Sequence, residues 1–239
     1  MTADADRTTA SRFRDPRRAR WDGLVHVGGE LSPEWLLDAY RHGVFPWPSD
    51  ETGPDEPMLW WSPDPRAVLP LDGMRVSRRL VRTIQSSRFQ TTANRDFAGV
   101  MQGCATGPGR ERGTWLTPVM RSAYQRMHEL GHAHSVEAWR HDGAMRRLVG
   151  GVYGVAIGGV FAAESMFRYE TDASKVALAA LVSHLRTRGY TLLDIQQWTP
   201  HTGTLGAVEL PRAEYLDRLA TAVERPVTFG ERLEGDGLG

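Results

Sequence analysis

Three polar residues in the second half of the chain have the types and spacing to do chemistry. The apolar run GVFAAESMF (159–167), rich in Gly and Ala, delivers a bare carboxylate at Glu164. Further on, LLDIQ (192–196) sets Asp194 and Gln196 one pleat apart. A period of two puts both on one face, with Leu193 and Ile195 on the other. A carboxylate in a half-buried setting must be hydrogen-bonded or paired. The Asp194/Gln196 pair is either a polar network or a site; each of the three alone reads as a polar residue at a sheet edge, and the three together point toward a site. Lys175 follows in DASK and is the only lysine in the chain. Asp172 or Ser174 can cap the helix that begins there, which places Lys175 in a first turn where the helix dipole disfavours a cation. A lysine kept in that position is expected to hold a structural pair with a carboxylate or a backbone oxygen, the compact ammonium serving where a guanidinium fork would not.

The elements that must hold these residues can be read from local signals. In GGELSPEWLLDAYRHGVFPW, Ser32 is an N-cap and Pro33 opens a helix that stops at Gly43. MLWWSPDPRAVLPLDG is strand-like with a proline-rich interruption. A basic helix runs from Ser77 to about Ser86. TPVMRSAYQRMHELG (117–131) is a helix with Met120, Tyr124 and Met127 on one stripe and Gly131 beyond its end. HAHSVEAW (132–139) alternates as a strand, and RRLVGGVYGVAIGGVFAAESMF reads as two antiparallel strands joined at Gly158-Gly159. An amphipathic helix from Ser174 to about Arg188 leads into the strand YTLLDIQQW (190–198), and PRAEYLDRLATAV (211–223) closes the series as a helix. Strands alternating with helices after a central hairpin predict an α+β, α/β-like sheet. The acidic loop PSDETGPDEP marks a boundary. The expected division is a flexible arm over 1–20, a small N-terminal domain over 21–62, a catalytic domain over 63–225 and a tail over 226–239.

The 239 residues carry 29 basic and 29 acidic side chains, so net charge by itself argues against a nucleic-acid partner, but the charges are segregated. Ten arginines face two acids between Arg75 and Arg126, while the flanking segments are acidic. Such a block builds a local positive face on a neutral molecule. No apolar run approaches the ~20 residues that span a bilayer, and the N-terminus has no signal-like apolar core. One cysteine, Cys104, excludes an internal disulfide and a Cys-based zinc site. A cytoplasmic protein without a membrane partner is expected.

Taken in order, GGELSPEWLLDAYRHGVFPW, WWSPDPRAVLPL, GTWLTPVMRSAYQRMHELGHAHSVEAW, LVGGVYGVAIGGVFAAESMF, DASKVAL, LLDIQQ and HTGTLGAVELPRAEYL resemble the leucyl/phenylalanyl-tRNA–protein transferases over about residues 22–220. The resemblance implies an acetyltransferase-like (GNAT) domain behind a small N-terminal domain. It also implies transfer of Leu or Phe, less well Met, from aminoacyl-tRNA to proteins that begin with Arg or Lys, which feeds N-degron proteolysis. Glu164, Asp194 and Gln196 match the family's active-site motifs. Gln196 is expected to orient the attacking amine or polarise the ester, Asp194 to draw off the proton directly or through Gln196, and Glu164 to hold a cationic group of the acceptor or the ester end. Family positions that line the amino-acid slot and the terminal adenosine fall on Trp47, Trp115, Val152, Phe161, Met166, Leu178 and Leu193. Arg75, Arg78, Arg79 and Arg82 are expected to line one helix face and grip tRNA phosphates. The implied enzyme is a monomer needing neither cofactor nor metal.

The sequence departs from the family pattern at Ala163, usually Gly, and at Arg168, usually Ser. The loops GPGRER (107–112) and HDGAMRR (141–147) also look longer than the family's. Rival readings are an acyl-CoA N-acetyltransferase on the same fold, weakened by the absence of glycine in RYETDAS, and a non-catalytic tRNA-binding protein, which leaves Glu164 and Asp194/Gln196 without a purpose. A metal hydrolase on His128, His132, His134 and Glu137 is weakened by Gly131, which breaks the ligand face. Cys104 has no partner histidine that would make it a nucleophile.

Overall fold

A computed structural model describes residues 11–48, 56–110 and 113–234. Ser32 caps α1 (Pro33–Arg41) by accepting the Trp35 N–H, and the helix packs against a three-stranded antiparallel sheet of order β1-β3-β2, formed by Leu24–Val27, Leu59–Trp61 and Phe45–Pro46. The second sheet has seven strands in the order β10-β4-β9-β8-β7-β6-β5. Its middle is the long hairpin foreseen from the glycine pair: β7 (Met145–Ile157) turns at Gly158-Gly159 into β8 (Val160–Arg168). Gly158 has φ +52, and a Cβ there would run into the Val223 carbonyl, so glycine is required both for the turn and for the close approach of the chain. The hairpin is extended by β6 (Ala133–Asp142) and β5 (Gln90–Ala93) on one side, and by β9 (Leu192–Gln196), β4 (Arg66–Val68) and β10 (Val208–Leu210) on the other.

Every pairing in this sheet is antiparallel except β8 with β9. A parallel pair needs a crossover, supplied by α5 (Ala173–Arg188), which ends at Gly189 with φ +84. α5 and α2 (Arg78–Gln85) belong to the layer on one face of the sheet, where Val152, Phe161, Val176, Leu181, Leu185 and Leu193 share a core. On the other face lie α3 (Phe97–Thr106), α4 (Pro118–Glu129) and, over the β9 end, α7 (Arg212–Val223); a short helix, α6 (Pro200–Thr204), follows β9. The observed class is α+β, as the alternation of elements predicts. The small sheet is not walled off from the large one. Leu36, Tyr40, Phe45 and Trp60 belong to the same buried cluster as Met101, Leu116, Tyr124 and Tyr153.

Both ends of the described chain depart from expectation. Residues 11–20, expected within a flexible arm, are docked; residues 1–10 lie outside the described residues. Phe13 is buried among His26, Trp35 and Trp60 with ring centroids 5.0–5.8 Å apart. Arg14 donates to the Leu24 carbonyl at 2.7 Å and the Arg12 N–H to Asp38 at 2.8 Å. Residues 226–234, expected as a tail, are anchored by Phe229, which stacks on His134 at 4.3 Å and offers its carbonyl to His184 at 2.7 Å. In each case one aromatic residue inside a polar segment buries enough surface to order its neighbours. Phe13→Ala is therefore expected to lower the unfolding free energy by about 3 kcal/mol, read by urea denaturation; an undocked arm would leave the midpoint unchanged.

Candidate active site

β8 and β9 hydrogen-bond only from Val160–Ala162 against Leu192–Asp194, and then they part. On β8 the ladder to β7 pairs Tyr153 with Ser165 and Gly154 with Ala163, which leaves Glu164 as the extra residue of a β-bulge. On β9 the strand ends at Gln196, whose φ of +58 is rare for a residue with a side chain. Between the two deviations opens a hollow of about 650 Å³, with Trp47, Trp115, Val152, Met166, Leu178 and Ile195 on its apolar walls. Trp47 comes from the small sheet and stacks on Trp115 at 4.7 Å with 19° between the ring planes.

Glu164 and Gln196 meet at one side of this hollow, the Gln196 Nε2 donating to Glu164 Oε1 at 3.0 Å. The Tyr124 hydroxyl donates to Glu164 Oε2 at 2.9 Å and lies 2.6 Å from the Tyr40 hydroxyl, so α1 and α4 reach the site from behind. Desolvation raises the Glu164 carboxyl to a pKa of about 7; the hydrogen bonds from the two tyrosines pull in the opposite direction. Burial, reinforced by the Glu164 charge, holds both phenols well above their ordinary pKa, so they act as donors.

Of the two routes expected for Asp194, drawing off the proton directly or through Gln196, its position does not serve the direct one. Its side chain turns to the α7 face, 1% exposed, and accepts from Arg66 Nε at 2.9 Å, Arg66 Nη2 at 2.6 Å, Tyr215 Oη at 2.9 Å and the Gln196 backbone N–H at 3.0 Å. These four bonds fill the carboxylate's acceptor sites. Asp194 thus holds the backbone of Gln196 in its unusual conformation and cannot also reach an amine. Burial pulls the Arg66 guanidinium down, but Asp194 and Tyr215 more than offset it, and Arg66 stays cationic. Sequence reasoning missed Arg66, Tyr40, Tyr124 and Tyr215. The one available signal was Arg66 itself, an arginine in an otherwise apolar strand, RAVLPL, which needs a buried counter-charge.

Of the seven expected slot residues, Trp47, Trp115, Val152, Met166 and Leu178 line the hollow. Phe161 and Leu193, each 1% exposed, lie in the core behind them, since the sheet has no gap at their level. Ala163 and Arg168, the two departures, both border the hollow. Arg75, Arg78 and Arg82 are exposed, but Arg75 precedes α2 rather than lying on it, and Arg79 is committed to Asp172 through bonds of 2.7–3.1 Å. That same bond takes the Asp172 side chain away from capping α5. Ser174 borders the hollow from the first turn of α5, and Lys175 beside it has no carboxylate partner among the described residues, one of the two partners expected for it.

The rival sites do not assemble. His128 stacks on Phe97, His134 on Phe229, and Glu137 is engaged by Thr92, Ser135 and the Arg95 N–H. Among the described residues no group of three His, Cys, Asp or Glu could hold a metal ion. Cys104 is buried, and desolvation pushes its thiol up to about 12, so it is not a nucleophile. No described helix is long and apolar enough to cross a membrane.

An α+β sheet parted around an apolar hollow, with an elevated carboxyl and an amide at the parting, defines a substrate-binding enzyme domain. Comparison with known proteins gives its family. Residues 68–220 match the family model of the leucyl/phenylalanyl-tRNA protein transferases, and residues 29–64 match the model of that family's N-terminal domain. A leucyl/phenylalanyl-tRNA–protein transferase of Nitratidesulfovibrio vulgaris is 51% identical over 91% of this chain and 90% of its own. One of Xanthomonas axonopodis is 48% identical over 95% and 88%. A solved structure, that of L-PGS from Bacillus licheniformis, is similar over 70% of this chain and 52% of its own, with 13% identity and a TM-score of 0.40. The chain belongs to the leucyl/phenylalanyl-tRNA protein transferase family and is an aminoacyltransferase.

The elevated Glu164 carboxyl has a consequence for stability. A carboxyl whose pKa is about 7 when folded and 4.5 when unfolded contributes stability that is full below pH about 4.5 and lost as pH rises through 7. Unfolding free energies of the wild type minus those of Glu164→Gln are expected to fall between pH 4.5 and 8; a flat difference would mean an ordinary carboxyl.

Proposed function

We propose that the protein moves Leu or Phe, and Met less well, from aminoacyl-tRNA onto the α-amino group of proteins that begin with Arg or Lys, so creating a destabilising N-terminus for proteolysis. In this reading the enzyme is a cytoplasmic monomer and its large sheet is an acetyltransferase-like (GNAT) domain, for which the parting of the parallel pair β8/β9 around the hollow speaks. The observation that carries the reading is the Glu164–Gln196 contact at the edge of an apolar hollow. Leu and Phe share only size and apolarity, which suits walls of Val152, Leu178 and Ile195 with an adaptable Met166. Such walls discriminate a methylene by only ~1–3 kcal/mol, so Met is not strongly excluded. The Trp47/Trp115 stack offers aromatic surface to the terminal adenine.

The roles follow from the protonation states. An N-terminal ammonium has a pKa near 8, and a carboxyl near 7 is well matched to pair with it and take its proton. Gln196 spends its Nε2 on Glu164, which leaves its carbonyl oxygen to accept an N–H of the amine and aim the nitrogen. The nitrogen attacks the ester carbonyl carbon, the bond from that carbon to the ribose oxygen breaks, and a peptide bond forms. Glu164 passes the ammonium's proton to solvent before the attack; the second proton, shed by the nitrogen as it bonds to carbon, passes through Glu164 to the departing ribose oxygen, so the site ends as it began. Asp194, with Arg66 and Tyr215, is a positioning residue for Gln196.

The direct test is incubation with Leu- or Phe-tRNA and peptides that begin with Arg, Lys or Ala. Mass spectrometry should show one added Leu or Phe on the Arg and Lys peptides only. Acetyl-CoA consumption without aminoacylation would instead move the protein to an acetyltransferase. Glu164→Gln should lower kcat by about 10²–10⁴-fold with the KM for charged tRNA nearly unchanged. Binding of charged tRNA should weaken by about tenfold or more between 50 and 200 mM salt if Arg75, Arg78 and Arg82 neutralise phosphates, measured by filter binding. An affinity indifferent to salt would remove the arginines from the interface.

A further inference from the structure

Two cations and an imidazole gather on one side of the mouth of the hollow, from three separate elements. Arg168 ends β8, Lys175 lies in the first turn of α5, and His201 is in α6. Arg168 and His201 border the hollow. Partial burial, and then the charges of Lys175 and Arg168, push the His201 imidazole below its ordinary range. Neither cation has an ion-pair partner among the described residues, because the nearby acids are spoken for. Asp172 is held by Arg79, and Glu170 by Arg88 and Arg147. Beside them Ser174, 5% exposed, borders the hollow. α5 has no side-chain cap, and its dipole adds positive potential in the turn where Lys175 already stands. Positive charge without an acidic partner among the described residues, gathered at a helix start beside a serine on the wall of the hollow, is an arrangement short of one anion.

We propose that Arg168, Lys175, His201 and Ser174 form a seat for the phosphodiester on the 5′ side of the donor's terminal adenosine. This rests on the reading of the hollow as the site of the aminoacyl ester. The surface beyond the seat continues the same charge. Arg79 ties α2 to the start of α5 through Asp172, and the Arg75 N–H donates to the Leu205 carbonyl at 2.8 Å, just past α6. A strand leaving the seat along this edge meets Arg75, Arg78 and Arg82, all exposed.

The test compares two minimal donors with a peptide that begins with Arg: 3′-O-phenylalanyl-adenosine, and the same ester carrying a 5′-phosphate. For the wild type the phosphorylated donor should have a KM lower by about tenfold or more, as befits charge-assisted contacts. Lys175→Met and Arg168→Ser should each shrink the ratio of the two KM values toward one, and Lys175→Arg should recover part of it. Equal KM values in the wild type, or a ratio untouched in both variants, overturn the seat. Transfer from neither donor would instead overturn the reading of the hollow, and the seat with it. Because the readout is a ratio within each variant, loss of folded protein does not imitate the effect.

Discussion

Arg66 and Asp194 form an ion pair with both side chains 1% exposed, and the geometry of the site hangs from it. Charges so far from water cost several kcal/mol each to bury, which only close geometry and further hydrogen bonds repay. Here the pair is bidentate, and Tyr215, the Gly43 carbonyl and the Gln196 N–H complete it. It therefore knits together β4, β9, α7 and the turn after α1. Replacing both charges by apolar groups of similar volume is often neutral for stability, whereas removing one leaves the other stranded. What the pair supplies that an apolar core cannot is direction: a carboxylate oxygen fixed under the Gln196 N–H, holding that residue in the left-handed region.

With Gln196 so held, its side chain reaches across the parting of β8 and β9 to the bulged Glu164. Two departures from regular strand geometry, one on each lip, make a site from what would otherwise be continuous sheet. The small sheet takes part as well. Tyr40 and Trp47 come from its segment, one behind Glu164 through Tyr124 and the other on the wall of the hollow. The shared core keeps this chain of contacts together: a loose N-terminal unit would take the Tyr40 hydroxyl away from Tyr124 and the Trp47 ring away from the hollow.

How much of this could be read from residues alone depends on the range of the interaction. Ser32-Pro33, Thr117-Pro118, Gly158-Gly159 and Gly189 act within a few positions, and the elements they bound were legible. α3, FAGVMQGCAT, was not, because a helix buried over most of its surface has no polar face to reveal its period. The docked Phe13 and Phe229 were likewise hidden, since a lone aromatic in a polar segment does not say what it lies against. The hollow was legible as a set of greasy residues, but its wall could not be told from its backing; Met166 and Phe161 look alike until the register is known.

The sequence by itself determined the fold class and the family, and singled out the three polar residues of the candidate site, because local spacing and long matching strings carry that information. Only the tertiary structure decided what each residue does. Asp194 became a clamp because Arg66, 128 positions away, fills its oxygens. Glu164 carries a carboxyl raised to about 7 because the fold buries it at the bulge, behind the phenols of Tyr124 and Tyr40. Lys175 has no acidic partner among the described residues because Asp172 is taken by an arginine 93 positions earlier. A carboxylate's chemistry is fixed by its solvation and its partners, and in a folded chain both are chosen by residues far away in sequence.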